Sequence, residues 1–138
     1  MGSHIRTRQI VFAWGGALLA MLVLDGIWLG LLMGGTYRDW LGGMMLEQPR
    51  WIPAVLFYLL YASGLVLFAI APAVRSARWR EAALLGGALG LVAYGTYDLS
   101  NLATLDGWPV VLTVVDLVWG AAVSALAAAA GYVAARRG

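Results

Sequence analysis

Three aspartates are the side chains of this chain best suited to do chemistry. Asp98 and Asp116 sit in otherwise apolar surroundings on either side of a turn at Asp106-Gly-Trp-Pro109. Asp25 lies in the first apolar segment as Asp25-Gly-Ile-Trp28, which echoes Asp116-Leu-Val-Trp119. A carboxyl group in such a setting can hold a proton, grip a ligand's polar end, or share a hard cation through its oxygens. No Arg or Lys falls at the depth of these acids to neutralise them. Three ionised carboxylates close together would repel, so at least one is expected to keep its proton at neutral pH or to share a cation. Asp98 is the expected proton holder, because it sits on the most polar face, between Tyr94 and Asn101.

The elements that position these acids follow from composition. The chain has 138 residues, 62% hydrophobic and only 12% charged, with a mean hydropathy of +0.82. A soluble domain carries about twice that charge, so the reading is an integral membrane protein of one domain. Cysteine is absent, which excludes disulfides, thiolate metal sites and cysteine nucleophiles. A net charge of +2 is too small to imply nucleic acid. Met1-Gly-Ser-His4 reads as an expression-tag remnant. Its histidine is the only one, so the commonest general base and metal ligand is missing from the remainder, 5–138.

Four apolar runs, at about 10–33, 52–71, 81–105 and 109–135, are each long enough to cross a bilayer as a helix. The expected fold is all-α, an integral membrane four-helix bundle. Pro53 suits a first helical turn, while Pro72 and the cluster from Arg75 to Arg80 are expected to end the second run. Between Thr36 and Trp51, charges mix with aromatics as at a membrane–water boundary. Leu41, Met44, Met45 and Leu46 there could form a short interfacial helix. Trp40, Trp51, Trp79 and Trp108 read as interfacial anchors. Arg6, Arg8, Arg75, Arg78, Arg80, Arg136 and Arg137 fall on one side, against only Arg38 and Arg50 on the other. The positive-inside rule then places both termini in the cytoplasm.

At ~1.5 Å of rise per residue, Asp25, Asp98 and Asp116 fall at similar depth in the outer half of the membrane. Tyr58 and Tyr61 of the second segment reach the same level. Tyr94, Tyr97, Asp98, Asn101 and Thr104 share one face of the third helix by their three/four spacing. That face is expected to turn inward, because an ionisable group facing lipid is costly. The three acids are expected to converge, with Asn101 as a hydrogen-bond partner. The plainer alternative makes them interhelical acceptors for Tyr, Trp and Asn donors, with Trp28 and Trp119 packing. Gly30 and Gly34, Gly86 and Gly90, and Gly120, Ser124 and Ala128 have the small-residue spacing that lets helices approach closely.

The segment Tyr97-Asp98-Leu-Ser-Asn101-Leu-Ala-Thr104, then Trp108-Pro109, then Asp116-x-x-Trp119-Gly120, resembles a family of small bacterial membrane proteins designated domain of unknown function 2177. Asp25-x-x-Trp28-Leu-Gly30 and Pro53-x-x-x-Phe57-Tyr58 resemble its first two segments. The likeness spans about Phe12 to Gly131. Ser100 stands where the family pattern has Thr, which keeps the hydroxyl. The resemblance implies a four-helix protein of the bacterial inner membrane and supplies no activity.

Three functions remain open at this stage. A binding or accessory protein would hold a lipid-like or amphipathic molecule in a cleft toward the outer leaflet. Asp25, Asp98, Asn101 and Asp116 would grip its polar end, Tyr58, Tyr61, Tyr94 and Tyr97 would line the cleft, and Trp28 and Trp119 would stand beside it. A proton- or cation-coupled transporter, built as a homodimer, would use the acids as a relay. A lipid-modifying enzyme would use paired carboxylates as acid and base or as ligands of a hard divalent cation. The last fits least, because no nucleophile motif accompanies the acids. No cofactor is implied, and the metal reading rests only on Asp25, Asp98 and Asp116.

Overall fold

The computed structural model describes residues 5–138, so the tag-like residues 1–4 lie outside it. Among the described residues there is no strand. Four helices are long and apolar enough to cross a membrane: Thr7–Leu32, Trp51–Ser76, Trp79–Thr104 and Val110–Arg136. Lipid offers no hydrogen bonds, so apolar runs of this length close their backbone bonds internally, as helices do. The spans fall where the apolar runs predict, with the ends shifted by a few residues. Arg6 donates from its guanidinium to the Gly138 carbonyl at 2.8 Å, so the start of the first span and the end of the last lie together at one end of the bundle.

The second span does not stop at Pro72. It continues to Ser76 because one turn, Val66–Ile70, is π-helical. The Ala71 N–H bonds back to the Val66 carbonyl. This wider turn accommodates a residue that lacks an N–H and whose ring crowds the carbonyl four residues earlier. The left-handed backbone of Ala77, with φ of 59°, then ends the span.

The first span also closes on a π turn, Trp28–Leu32. A Cβ at Gly34 would strike the Leu29 carbonyl, so the chain can fold back sharply only because glycine stands there. The short helix that follows is Gly34–Leu41. It lies upstream of the expected Leu41–Leu46 stretch, because Gly42, with φ of 58°, ends it. Met44 belongs instead to a single 3-10 turn, Gly42–Met44.

The last span runs through the centre, packed along the first and third spans. Gly86 and Gly90 of the third span meet Ser124, Ala128 and the Gly120 backbone. Gly16 meets Ala134, and Gly131 meets Ala13, Ala17 and Ile70. Small residues let these backbones touch, and dispersion replaces the hydrophobic effect as the attraction. Gly30 takes no part: a Cβ there would meet nothing within 4 Å, since it faces outward. The second span is held through its half nearer the arginine-rich end, where Leu65, Ala69, Ile70 and Ala73 are fully buried. Its other half stands away from the bundle, with Ile52 and Leu60 each 75% exposed.

Candidate functional site

The two Asp-x-x-Trp motifs meet across the bundle. In each helix the acid and the indole, three residues apart, share one face. Asp25 accepts two hydrogen bonds, from the Tyr58 hydroxyl at 2.7 Å and from the Trp119 indole N–H at 2.9 Å. The Trp119 ring stacks on Trp28, with centroids 4.3 Å apart and planes 4° from parallel. The Trp28 N–H donates to the Tyr37 hydroxyl at 3.1 Å, and that hydroxyl donates to Asp116 Oδ1 at 3.1 Å. The motifs are therefore clasped crosswise. Each indole N–H serves the other motif's acid, directly in one case and through Tyr37 in the other.

Tyr37 comes from the short helix Gly34–Leu41 and is that helix's buried residue. Burial pushes its phenol well above the ordinary range; the Trp28 N–H works against this, and the Asp116 charge adds to it. The hydroxyl thus keeps its proton and remains a donor to Asp116.

Asp98 is the exception in this network. It is fully buried, and neither carboxyl oxygen has a hydrogen-bond partner. Asp116 is the acid that faces it. Two acceptors cannot bond to each other unless one carries a proton.

A family model described as "Predicted membrane protein (DUF2177)" matches residues 10–133. The chain belongs to this family. No curated protein and no solved structure matches it. All three acids and both stacked indoles of this DUF2177 protein lie within the matched stretch.

The remaining expected residues divide. Tyr61 bonds to Ser124 Oγ at 2.6 Å and meets the edge of Tyr94 at 6.1 Å. The Tyr94 ring packs directly on Gly120. Tyr97 is 58% exposed and meets Trp108 edge-on, so it faces out of the bundle. Asn101 lies beside Tyr97 of its own helix and bonds to none of the acids, which corrects its expected role. The three acids do not gather into one group that could hold a metal ion, among the described residues. Asp25 is committed to Tyr58 and Trp119, and the indole pair stands in the chain of contacts between it and Asp116.

Sequence reasoning missed Tyr37 and Ser124 as members of this DUF2177 network. Tyr37 looked like an interfacial aromatic among Arg38, Asp39 and Trp40. The usable signal was Gly34-Gly35 directly after the span, which lets the following turn fold back over the motif. Ser124 was read only as a small packing residue.

Two apolar grooves run between the spans. One, of about 390 Å³, runs between the second and third spans and includes Phe57, Leu60, Tyr61, Gly64, Phe68 and Leu89. A second, of about 610 Å³, lies between the first and second spans, at Ile10, Trp14, Val66 and Arg75. Neither of these two grooves is lined by an acid. Of the four tyrosines expected to line a cleft, Tyr61 alone borders the first groove.

Proposed function

We propose that this chain is a multi-pass protein of the bacterial inner membrane that binds an amphipathic, lipid-like molecule between its second and third spans. The groove there is the observation that supports this reading. Its size of about 390 Å³ suits a small ligand, and its walls are almost wholly apolar. It opens sideways, so an occupant would come from the bilayer. Tyr61 supplies a polar point, tied to Ser124 in the bundle. Phe57 sits against Tyr58, centroids 5.0 Å apart, and Tyr58 in turn holds Asp25. The polar end of the ligand would then lie near Tyr58 and Asp25. Asp98, being sealed, is released from the gripping role the sequence suggested.

Gly64 offers a clean test. It borders the groove, and a Cβ there would meet nothing within 4 Å. Gly64→Trp should fill the groove without disturbing a packed interface. In proteoliposomes carrying a photoreactive fatty-acyl phospholipid, the wild type should be labelled on the second and third spans. Gly64→Trp should lower that labelling about ten-fold, a loss of roughly 1.4 kcal/mol in occupancy. Equal labelling of both proteins would sink the groove as the binding site.

The orientation has its own test. The arginine-rich end faces the cytoplasm on this reading, because loops rich in Arg and Lys resist translocation. Reporter fusions at Gly138 and in the Gly42-Gly43 turn should report opposite sides of the membrane, with Gly138 inside. Fusions reporting one side would overturn it.

A further inference from the structure

Among the described residues, Asp98 is the one buried side chain whose polar atoms are left without a donor. A fully buried, ionised and unbonded carboxylate would forgo solvation worth several kcal/mol and gain nothing in exchange. The groups facing it come from two elements. Asp116 faces it from the last span and Tyr37 from the short helix, while Tyr97, its neighbour on its own helix, points out of the bundle. The first span's Asp25 is committed to Tyr58 and Trp119. The second span brings Tyr58 and Tyr61, whose hydroxyls are engaged with Asp25 and Ser124. No cation stands among these groups.

Asp116 is held where it is. Its Oδ1 accepts the Tyr37 hydroxyl, and that hydroxyl is itself fixed by the Trp28 N–H. Two ionised carboxylates side by side in a medium of low dielectric repel strongly. One proton between them turns that repulsion into a charge-assisted hydrogen bond, which is short and strong. It also supplies the missing donor.

We propose that Asp98 and Asp116 form a one-proton site, a carboxylic acid–carboxylate pair that binds and releases a single proton, with Tyr37 as its positioning residue. The ligand is a proton, taken up by one carboxylate oxygen and shared with the facing acid. On its release both acids are ionised and Asp116 is driven from Asp98. Tyr37 is then drawn with it, and Tyr37 is the buried anchor of the short helix Gly34–Leu41. Proton occupancy is thereby tied to the seating of that helix. This goes beyond lipid binding and stands whether or not the groove is occupied.

Infrared spectroscopy of the full chain in lipid nanodiscs tests it. At neutral pH the wild type should show a protonated-carboxyl band equivalent to one group per chain, shifted in D2O. The band should vanish in Asp98→Asn and also in Asp116→Asn, because the amide then supplies the donor that the proton had supplied. Tyr37→Phe should keep the band and change its frequency, since Asp116 loses its fixed donor. Near-ultraviolet circular dichroism from the stacked Trp28 and Trp119 should change with pH in the wild type and stay flat in Asp98→Asn. No band in the wild type would mean an ionised pair and overturn the proposal. A band worth two groups, or one that survives Asp116→Asn, would overturn sharing. If an Asn variant fails to fold, the wild-type band area and its single-proton titration still decide the question.

Discussion

Gly90→Leu is expected to unfold the bundle. A Cβ at Gly90 would run into the Gly120 carbonyl and the Ser124 side chain, while one turn away Gly86 is pressed against Ala128 and the Ser124 carbonyl. The new side chain would strike the Gly120 carbonyl and the Oγ and Cβ of Ser124, and neither the carbonyl nor the Cβ can rotate away. The third and last spans would have to part along their contact, and Asp98 would separate from Asp116. Overpacking in a yielding core costs about 1–3 kcal/mol. Here the loss should exceed about 4 kcal/mol, the range reserved for disrupted cores. Gly15→Leu is the control: nothing lies within 4 Å of a Cβ there, and the change should stay within about 0.5 kcal/mol. Unfolding in mixed micelles, followed by circular dichroism, measures both. Comparable stabilities for the two variants would contradict the close approach of the third and last spans.

Asp25→Leu should be the most damaging change within the polar network. It removes the acceptor of both the Tyr58 hydroxyl and the Trp119 N–H. Bonds to a charged acceptor contribute about 1.5–3 kcal/mol each. Interhelical bonds in membranes give less, because the unfolded helices find other partners there. A combined loss of about 3 kcal/mol follows. The Trp119 ring would also lose its anchor and its register on Trp28. Asp25→Asn leaves a carbonyl for one of the two donors and should lose about half as much. Unfolding measurements read the cost, and the tryptophan circular dichroism reads the stack. Wild-type values for both variants would mean that Asp25 anchors neither neighbour.

Some of this was legible in the residues alone. Apolar length and the placement of arginine suffice to define the four spans, because the bilayer imposes one thickness and one way of satisfying the backbone. The spacing of Gly86, Gly90, Gly120, Ser124 and Ala128 announced close helix contact, since only small side chains let backbones touch. Depth arithmetic put the three acids at similar depth, and the repeat of Asp-x-x-Trp stood out, but nothing in the repeat said that the two motifs would meet. Family membership follows from those same motifs.

Tertiary structure decided how the acids are shared out. Asp25 is fully bonded, Asp116 is held by Tyr37, and Asp98 alone is left without a donor. Periodicity locates a side chain on a helix face but does not rotate one helix against another, and hydrogen-bond partners depend on that rotation. Tyr37 entered the network because the chain reverses at Gly34 and returns one turn over the end of the first span, a local fold-back that no helical period records. Pro72 failed to end its span because a π turn absorbed it, a backbone adjustment set by packing at Leu65, Ala69 and Ile70. Asn101 and Tyr97 were read on one face with Asp98, yet of the three only Asp98 is fully buried: the last span admits the Tyr94 ring at Gly120, and one turn away Asp116 faces Asp98.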